Sequence, residues 1–214
     1  MPSRVDVFWS FRSPYSYLAT SRLIEIAKTY DVDMQFRPVL PMAIRTPDKF
    51  GNPMAIDYIR MDAERVAAFL GADFSFPNPD PVAFEAGTMR ATKEQPYIYR
   101  LSRLGVAASE QGRGFVFARE ISCTIWGGKI QDWSGEENLR DATKRAGLDL
   151  ASLETSVAGD VARYDQVIAA NGDALAKSGH WGVPTCVFEG EPFFGQDRLD
   201  VLCWRLDQRG LRGH

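Results

Sequence analysis

The hydrophobic pattern at the start of the chain predicts a strand, a helix and a second strand. Residues 5–11 form a β-branched and aromatic run closed by Arg12-Ser13-Pro14, which is typical of a buried strand that ends in a turn. Residues 16–30 carry apolar positions at helical spacing, and residues 34–39 alternate between apolar and polar. We therefore expect a βαβ unit with a right-handed crossover.

The middle of the chain has helical periodicity and few strand signals. Turn-rich segments at residues 46–53 and 74–81 interrupt it, and Pro96 is predicted to kink or split its helix. The helix-like stretches are residues 53–70, 81–104, 109–126, 136–146 and 150–178. These stretches predict an all-helical block.

Strand signals return near the end of the chain. Residues 184–188 and 192–194 are strand-like and flank a hairpin turn, and residues 197–208 have a helical pattern. A βαβ unit at the start of the chain and a ββα unit at its end, separated by helices, predict an α/β sheet with an inserted all-helical subdomain.

Composition and charge exclude several classes of protein. Of the 214 residues, 45% are hydrophobic. The chain has 25 Lys and Arg and 28 Asp and Glu, which gives a net charge of −3. No stretch gathers the basic residues, so nucleic acid is not an expected partner. No apolar run approaches the roughly 18 residues of a membrane-spanning helix, and Asp6 interrupts any signal-peptide core. We expect a soluble, cytoplasmic protein that makes no membrane contact.

Cysteine and histidine usage argues against metal and dithiol chemistry. Cys123, Cys186 and Cys203 are widely separated and form no Cys-x-x-Cys pair, so neither a disulfide framework nor disulfide exchange is expected. His180 and His214 are the two histidines, which are too few for a multi-histidine site. No metal is expected.

Two segments carry candidate chemistry. Ser13 and Pro14 stand at the predicted start of the first helix, where unpaired N–H groups and the macrodipole favour an anion. Both are also ordinary helix-starting residues, so capping is the simpler explanation of Ser13 and Pro14 when they are considered alone. In the second segment, Gly182-Val183-Pro184-Thr185, a cis Val183–Pro184 bond would leave the N–H and C=O of Val183 free to pair with an extended peptide.

These segments resemble those of a known family. Ser-Pro-Tyr-Ser-Tyr at residues 13–17, Gly-Val-Pro-Thr at 182–185 and Gly-Gln-Asp-Arg-Leu at 195–199 resemble the 2-hydroxychromene-2-carboxylate isomerases. Those enzymes are relatives of kappa-class glutathione transferases and DsbA-like oxidoreductases. The resemblance spans essentially the whole chain and implies a homodimer. It implies a thioredoxin-like domain at residues 1–45 and 179–214, with a helical insertion at 46–178 whose last helix, about 160–178, packs on that domain.

The resemblance also implies a glutathione site. Ser13 would replace the nucleophilic cysteine and hydrogen-bond the sulfur, and Val183 and Pro184 would present backbone to the tripeptide. Gln196 and Asp197 would hold its γ-glutamyl end, although Asp197 is equally well placed to cap the last helix.

Further residues are implied around the substrate, which would be a small aromatic carboxylate. Asn52 would be the second catalytic residue, close to the sulfur or the substrate, although it also fits an ordinary turn. The implied lining of the substrate pocket is Tyr15, Tyr58, Arg60, Asp62 and Trp126. Packing is the alternative role for Trp126 and Trp133, and loop structure is the alternative role for His180.

Three functions remain open at this point. The first is glutathione-dependent cis–trans isomerisation of 2-hydroxychromene-2-carboxylate or a related unsaturated aromatic oxo-acid, by reversible thiolate addition, in aromatic compound degradation. The second is a kappa-like glutathione transferase or peroxidase. The third is a non-catalytic thioredoxin-like binding protein.

Overall fold

A four-stranded mixed sheet lies at the centre of the computed structural model, which describes residues 3–213. The strands are β1 (Ser3–Trp9), β2 (Val32–Pro38), β3 (Thr185–Phe188) and β4 (Glu191–Phe194), in the order β2-β1-β3-β4. β1 pairs in parallel with β2 and antiparallel with β3, and β3 pairs antiparallel with β4. Because Val5, Val7 and Trp9 of the central β1 are 0% exposed, apolar residues cover the sheet there. The predicted fold class, a thioredoxin-like sheet with an inserted helical segment, is confirmed.

Nine α-helices fall within the described range. They are α1 (Pro14–Thr29), α2 (Met42–Arg45), α3 (Pro53–Leu70), α4 (Ile98–Glu110), α5 (Gly114–Trp126), α6 (Glu136–Arg145), α7 (Leu150–Gly159), α8 (Val161–Lys177) and α9 (Leu199–Gln208). Helices α4 and α8 contact β2, and α5 packs on α1. The inserted helices α4–α8 therefore share one hydrophobic core with the sheet.

Helix α1 is positioned by its cap and by its buried face. Ser13 is the N-cap, with extended backbone, and its side chain accepts a hydrogen bond from the N–H of Ser16. Leu23 on the inner face is 0% exposed, and full burial of such a side chain stabilises the fold by roughly 1.5–3 kcal/mol. The helix therefore starts at a fixed point beside the end of β1.

Several predicted helix boundaries are wrong. Residues 81–97 are irregular because side chains satisfy the backbone there: the Gln95 amide accepts from Ala83 N–H at 3.0 Å and donates to Ala83 O at 2.9 Å. Pro96 therefore precedes α4 and does not kink it. The predicted helix 109–126 begins only at Gly114, because α4 runs to Glu110. The stretch 150–178 is two helices, since Asp160 caps α8 through its carboxylate.

The closing segment differs from prediction at the start of its helix. The hairpin turn between β3 and β4 is confirmed, but residues 196–198 form a 3-10 turn and α9 begins at Leu199. Residues 1, 2 and 214 of the predicted thioredoxin-like ranges, His214 among them, lie outside the described residues.

Candidate functional site

A cleft of about 170 Å³ opens at the N-terminus of α1. Ser13, Tyr15 and Val183 line it, and its walls are largely aromatic and aliphatic. The apolar wall residues include Met42, Phe50, Ile59, Trp181 and Phe194. Such a mixture, a few polar groups in an apolar surround, is typical of small-molecule sites.

Ser13 meets the Val183–Pro184 segment at the base of this cleft. The Ser13 hydroxyl donates to Val183 O at 3.1 Å and accepts from Ser16 N–H at 3.2 Å. The Val183–Pro184 peptide bond is cis, the geometry on which the expected peptide-binding role of Val183 depends. Ser13 therefore caps α1 and also faces the segment Gly182 to Thr185, which we call the proline loop. Because a hydroxyl has one proton, Ser13 donates to a ligand only by turning away from Val183 O.

Val183 offers one free backbone group, where two were expected. Within residues 3–213 its N–H makes no hydrogen bond, whereas its carbonyl is occupied by Ser13. The prediction that both groups are free is therefore wrong for the carbonyl. The adjacent Gly182 is held by His180 Nδ1, which accepts from its N–H at 2.9 Å. A Cβ on Gly182 would overlap the ring of Phe194, so a larger residue there would have to displace that ring.

Gln196 and Asp197 lie next to the proline loop. The N–H of Gly195 donates to Pro184 O at 2.9 Å, which brings the following 3-10 turn beside Pro184. Asp197 is exposed and accepts from Arg198 at 2.8 Å. It does not cap α9, whose N-cap is Arg198, so the capping alternative for Asp197 is wrong.

Tyr15, Tyr58 and Asp62 form a cluster that joins α1 to α3. The Tyr15 hydroxyl donates to Asp62 Oδ2 at 2.8 Å, and the Tyr58 hydroxyl donates to Asp62 Oδ1 at 3.4 Å. Burial and the Asp62 carboxylate raise the pKa of Tyr15 well above its ordinary value, and the Asp197 carboxylate contributes to the same shift. Tyr15 is thus neutral at physiological pH, and its proton is committed to Asp62.

The structure does not bring the other predicted residues to the cleft. Asn52 is exposed and caps α3, accepting from Met54 N–H at 3.1 Å. Arg60 is exposed, with its guanidinium 6.0 Å from the Phe76 ring. Trp126 is 3% exposed, and its Nε1 donates to Phe11 O at 3.0 Å. Because burial and this hydrogen bond hold Trp126 in the core, it packs there and does not line the substrate pocket.

Two arginines of the cleft were not predicted. Arg12 pairs with both carboxylate oxygens of Asp80, at 3.0 and 2.9 Å, and lies 5.1 Å from the Phe50 ring. Arg45 donates to Leu40 O and, at 2.8 Å, to Trp181 O. Arg12 adjoins Ser13 in the predicted turn, but its contact with Asp80, like the contact of Arg45 with Trp181, joins segments that converge only in the folded chain.

A second cavity shares a wall with the cleft. It measures about 340 Å³, lies against α2, α4 and α8, and also includes Arg45. Neither Ser13 nor Val183 lines it. The smaller cleft is therefore the candidate site, because it combines the helix N-terminus, the serine hydroxyl and an unpaired backbone N–H.

None of the helices in residues 3–213 has the length and apolarity needed to cross a bilayer.

The chain is similar to several known proteins over nearly its whole length. A family model described as a DSBA-like thioredoxin domain matches residues 4–207. The chain is 24% identical to the 2-hydroxychromene-2-carboxylate isomerase of Pseudomonas putida over 92% of this chain and 91% of that protein. It is 26% identical to the same enzyme of Sphingobium xenophagum, over 94% and 97%, and 21% identical to glutathione S-transferase kappa 1 of Rattus norvegicus, over 98% and 93%.

Solved structures show the same fold. A 2-hydroxychromene-2-carboxylate isomerase superposes with a TM-score of 0.71 at 22% identity, covering 96% of this chain and 95% of that one. The cytosolic disulfide reductase DsbM of Pseudomonas aeruginosa with GSH superposes with a TM-score of 0.63 at 16% identity, over 95% and 99%.

Proposed function

The chain belongs to the family of DSBA-like thioredoxin domains, and we propose that it is a glutathione-dependent isomerase of 2-hydroxychromene-2-carboxylate or a related unsaturated aromatic oxo-acid. One observation carries the proposal: the Ser13 hydroxyl lies at the N-terminus of α1, 3.1 Å from Val183 O, inside an apolar cleft. Similarity to isomerases over more than nine-tenths of the chain supports it.

The residues around Ser13 fit a tripeptide thiol. The unpaired N–H of Val183 would pair with the cysteinyl backbone of glutathione, as an added strand does. The Asp197 carboxylate would face the γ-glutamyl ammonium, and Gln196 would receive its carboxylate. When bound there, glutathione supplies a thiolate that adds reversibly to the substrate double bond and is regenerated after rotation about it.

Ser13 would stabilise the thiolate by exchanging hydrogen-bond acceptors. A hydrogen bond to a charged acceptor contributes about 1.5–3 kcal/mol, and a hydrogen bond to a neutral acceptor contributes about 0.5–1.5 kcal/mol. When the Ser13 hydroxyl turns from Val183 O to the thiolate sulfur, the gain is therefore about 1.2 kcal/mol. The helix N-terminus adds roughly 0.3–1 kcal/mol. The total of about 1.9 kcal/mol lowers a thiol pKa from about 8.5 to about 7. The site therefore suffices to make about half of the bound thiol a thiolate at neutral pH.

The apolar walls would bind the substrate ring. Phe50, Trp181 and Phe194 offer flat surfaces beside Ser13, and burial of an aromatic ring against them excludes water from the reacting double bond. Asn52 caps α3 and does not line the cleft, so a role for its amide in orienting substrate oxygens stays a prediction from the resemblance alone.

A kappa-like transferase or peroxidase is the second candidate, because the rat kappa enzyme also matches nearly the whole chain. Glutathione concentration separates the two reactions, since transfer consumes glutathione stoichiometrically and isomerisation leaves it constant. A non-catalytic binding protein is the third candidate, because Ser13 does cap α1.

The test of the proposed function is turnover of 2-hydroxychromene-2-carboxylate with glutathione, comparing the parent with Ser13→Gly. Glycine at an N-cap costs only a few tenths of a kcal/mol relative to serine, so this variant removes the hydroxyl and keeps the helix start. Ser16→Ala is the matched control, because the Ser16 hydroxyl is buried and has no partner within residues 3–213. We expect Ser13→Gly to lose most turnover and Ser16→Ala to keep it. Equal turnover in parent and Ser13→Gly would exclude the mechanism.

A further inference from the structure

Arg45 is an unpaired cation in the wall of the cleft. Within residues 3–213 it forms no ion pair, and its hydrogen bonds go to the carbonyls of Leu40 and Trp181. Burial alone lowers its pKa, and no carboxylate contributes to the shift. A half-buried guanidinium without an anion is unusual, because desolvating a charge is costly unless a partner of opposite charge compensates it.

The other charges near the cleft do not perform the same role. Arg12, the second arginine in the cleft, is neutralised by two hydrogen bonds to Asp80. Lys49 lies over the ring of Trp181, with its Nζ 4.5 Å from the centroid, and does not line the cleft. Neither aspartate nor glutamate is among the described residues that line the cleft. Arg45 is thus the one cation among the described cleft-lining residues that has no ion-pair partner, and two backbone carbonyls fix it in place. It also lines the neighbouring cavity, where Asp165 pairs with Arg103 and neither Asp165 nor Asp173 pairs with Arg45.

The position of Arg45 relative to Val183 shows where an anion would lie. The turn that carries Gln196 adjoins Pro184, the residue after Val183, whereas Arg45 donates to the carbonyl of Trp181, two residues before Val183. An extended tripeptide advances about 3.3 Å per residue. If its middle residue pairs with Val183 and its γ-glutamyl end lies at Gln196, its terminal carboxylate points towards Arg45.

We infer that Arg45 is the carboxylate-binding residue of the cleft, and that this charge makes the site selective for anionic ligands. The placement of glutathione used here rests on the proposed function. Two carboxylates have the required chemistry, the glycyl carboxylate of glutathione and the carboxylate of an aromatic substrate. Arginine suits both, because its planar guanidinium binds a carboxylate through two parallel hydrogen bonds.

The experiment compares acids with their neutral amides by calorimetric titration. One arm uses glutathione and its glycyl carboxamide, and the other uses trans-2-hydroxycinnamate and its carboxamide in the absence of glutathione. The proteins are the parent, Arg45→Gln, Arg45→Lys and the matched control Lys49→Gln, which removes a nearby charge outside the cleft. Binding is measured without turnover, so the result does not depend on the assignment of the reaction.

In at least one arm we expect the parent to bind the acid about tenfold or more tightly than the amide. Arg45→Gln should abolish this preference while leaving amide affinity within about twofold, and Arg45→Lys should keep part of it. The arm that responds identifies the carboxylate. Lys49→Gln should resemble the parent.

Four results would overturn the inference. The first is no acid preference of the parent in either arm, and the second is an acid preference that Arg45→Gln leaves unchanged in every arm that shows one. The third is an equal loss of acid and amide affinity in Arg45→Gln, and the fourth is an equal effect of Lys49→Gln. If glutathione binds the parent and Arg45→Gln alike in both its forms, and hydroxycinnamate shows no dependence on Arg45, this inference fails and the proposed function stands. If glutathione binds no form of the protein, the proposed function fails, and the hydroxycinnamate arm still decides the role of Arg45.

Discussion

Removal of the Ser13 hydroxyl should change the pH at which the enzyme gains activity. In Ser13→Gly the bound thiolate loses the charge-assisted hydrogen bond, while the helix N-terminus remains. The net stabilisation of the thiolate that is lost is about 1.2 kcal/mol, which is the difference between a hydrogen bond to a charged acceptor and one to a neutral acceptor. This loss corresponds to about 0.9 pKa units. The pKa of bound glutathione should therefore rise from about 7 in the parent to about 8 in the variant.

This shift predicts a specific loss of rate. At pH 7 the thiolate fraction falls from about 0.4 to about 0.1, so turnover should fall about fivefold from this cause alone. The sign is fixed, because a higher thiol pKa removes thiolate at low pH and leaves it present at high pH. The deficit due to ionisation should therefore shrink as the pH rises through 8 and largely vanish above about pH 9.

Thiolate absorbance near 240 nm measures this ionisation directly. Titration of saturating glutathione on the parent, on Ser13→Gly and on Ser16→Ala gives the three pKa values, and thermal melting confirms that all three proteins are folded. Ser16→Ala should match the parent. If Ser13→Gly and the parent titrate at the same pH, Ser13 does not bind the sulfur, and the stabilisation argued from its position is wrong.

Other features of the site give further predictions. Gly182→Ala places a methyl group on the Phe194 ring, so glutathione affinity by calorimetry should fall about tenfold or more while circular dichroism stays native; unchanged affinity would contradict the close packing. Tyr15→Phe removes the hydrogen bond to Asp62, which is worth about 1 kcal/mol and should lower the melting temperature by about 2–4 °C; an unaltered melting temperature would show that this link between α1 and α3 is not formed. Trp126→Phe removes the hydrogen bond to Phe11 O and should reduce the free energy of unfolding, measured by urea titration, by about 1–3 kcal/mol. Substrate affinity should not change. A large loss of substrate affinity with no loss of stability would show that Trp126 lines the substrate pocket.

The two ends of the chain were predictable because their signals are local. A strand closed by Ser13-Pro14 fixes both the end of β1 and the start of α1, since serine and proline suit the first positions of a helix. Gly182 to Thr185 likewise indicated the cis bond that the structure contains. The hydrophobic patterns of β1 and β2 were sufficient to predict their parallel pairing, because a helix connects them.

The remaining parts of the site depend on contacts between distant segments. Residues 81–97 have helical periodicity, but Gln95 and Thr92 bind the backbone of Ala83 and hold an irregular loop. Arg45 enters the cleft because the segments around Leu40 and Trp181 meet in space, and no spacing in the sequence indicates this. The Ser13–Val183 hydrogen bond joins residues 170 positions apart, so sequence predicted their proximity but not that the Val183 carbonyl is occupied.

A crystal structure of the protein grown with glutathione tests the central claim most directly. We expect the sulfur within hydrogen-bond distance of Ser13 Oγ, the cysteinyl backbone paired with Val183 N–H, and the Ser13 hydroxyl turned away from Val183 O. A tripeptide bound elsewhere, or a Ser13 hydroxyl still donating to Val183 O beside a distant sulfur, would contradict it.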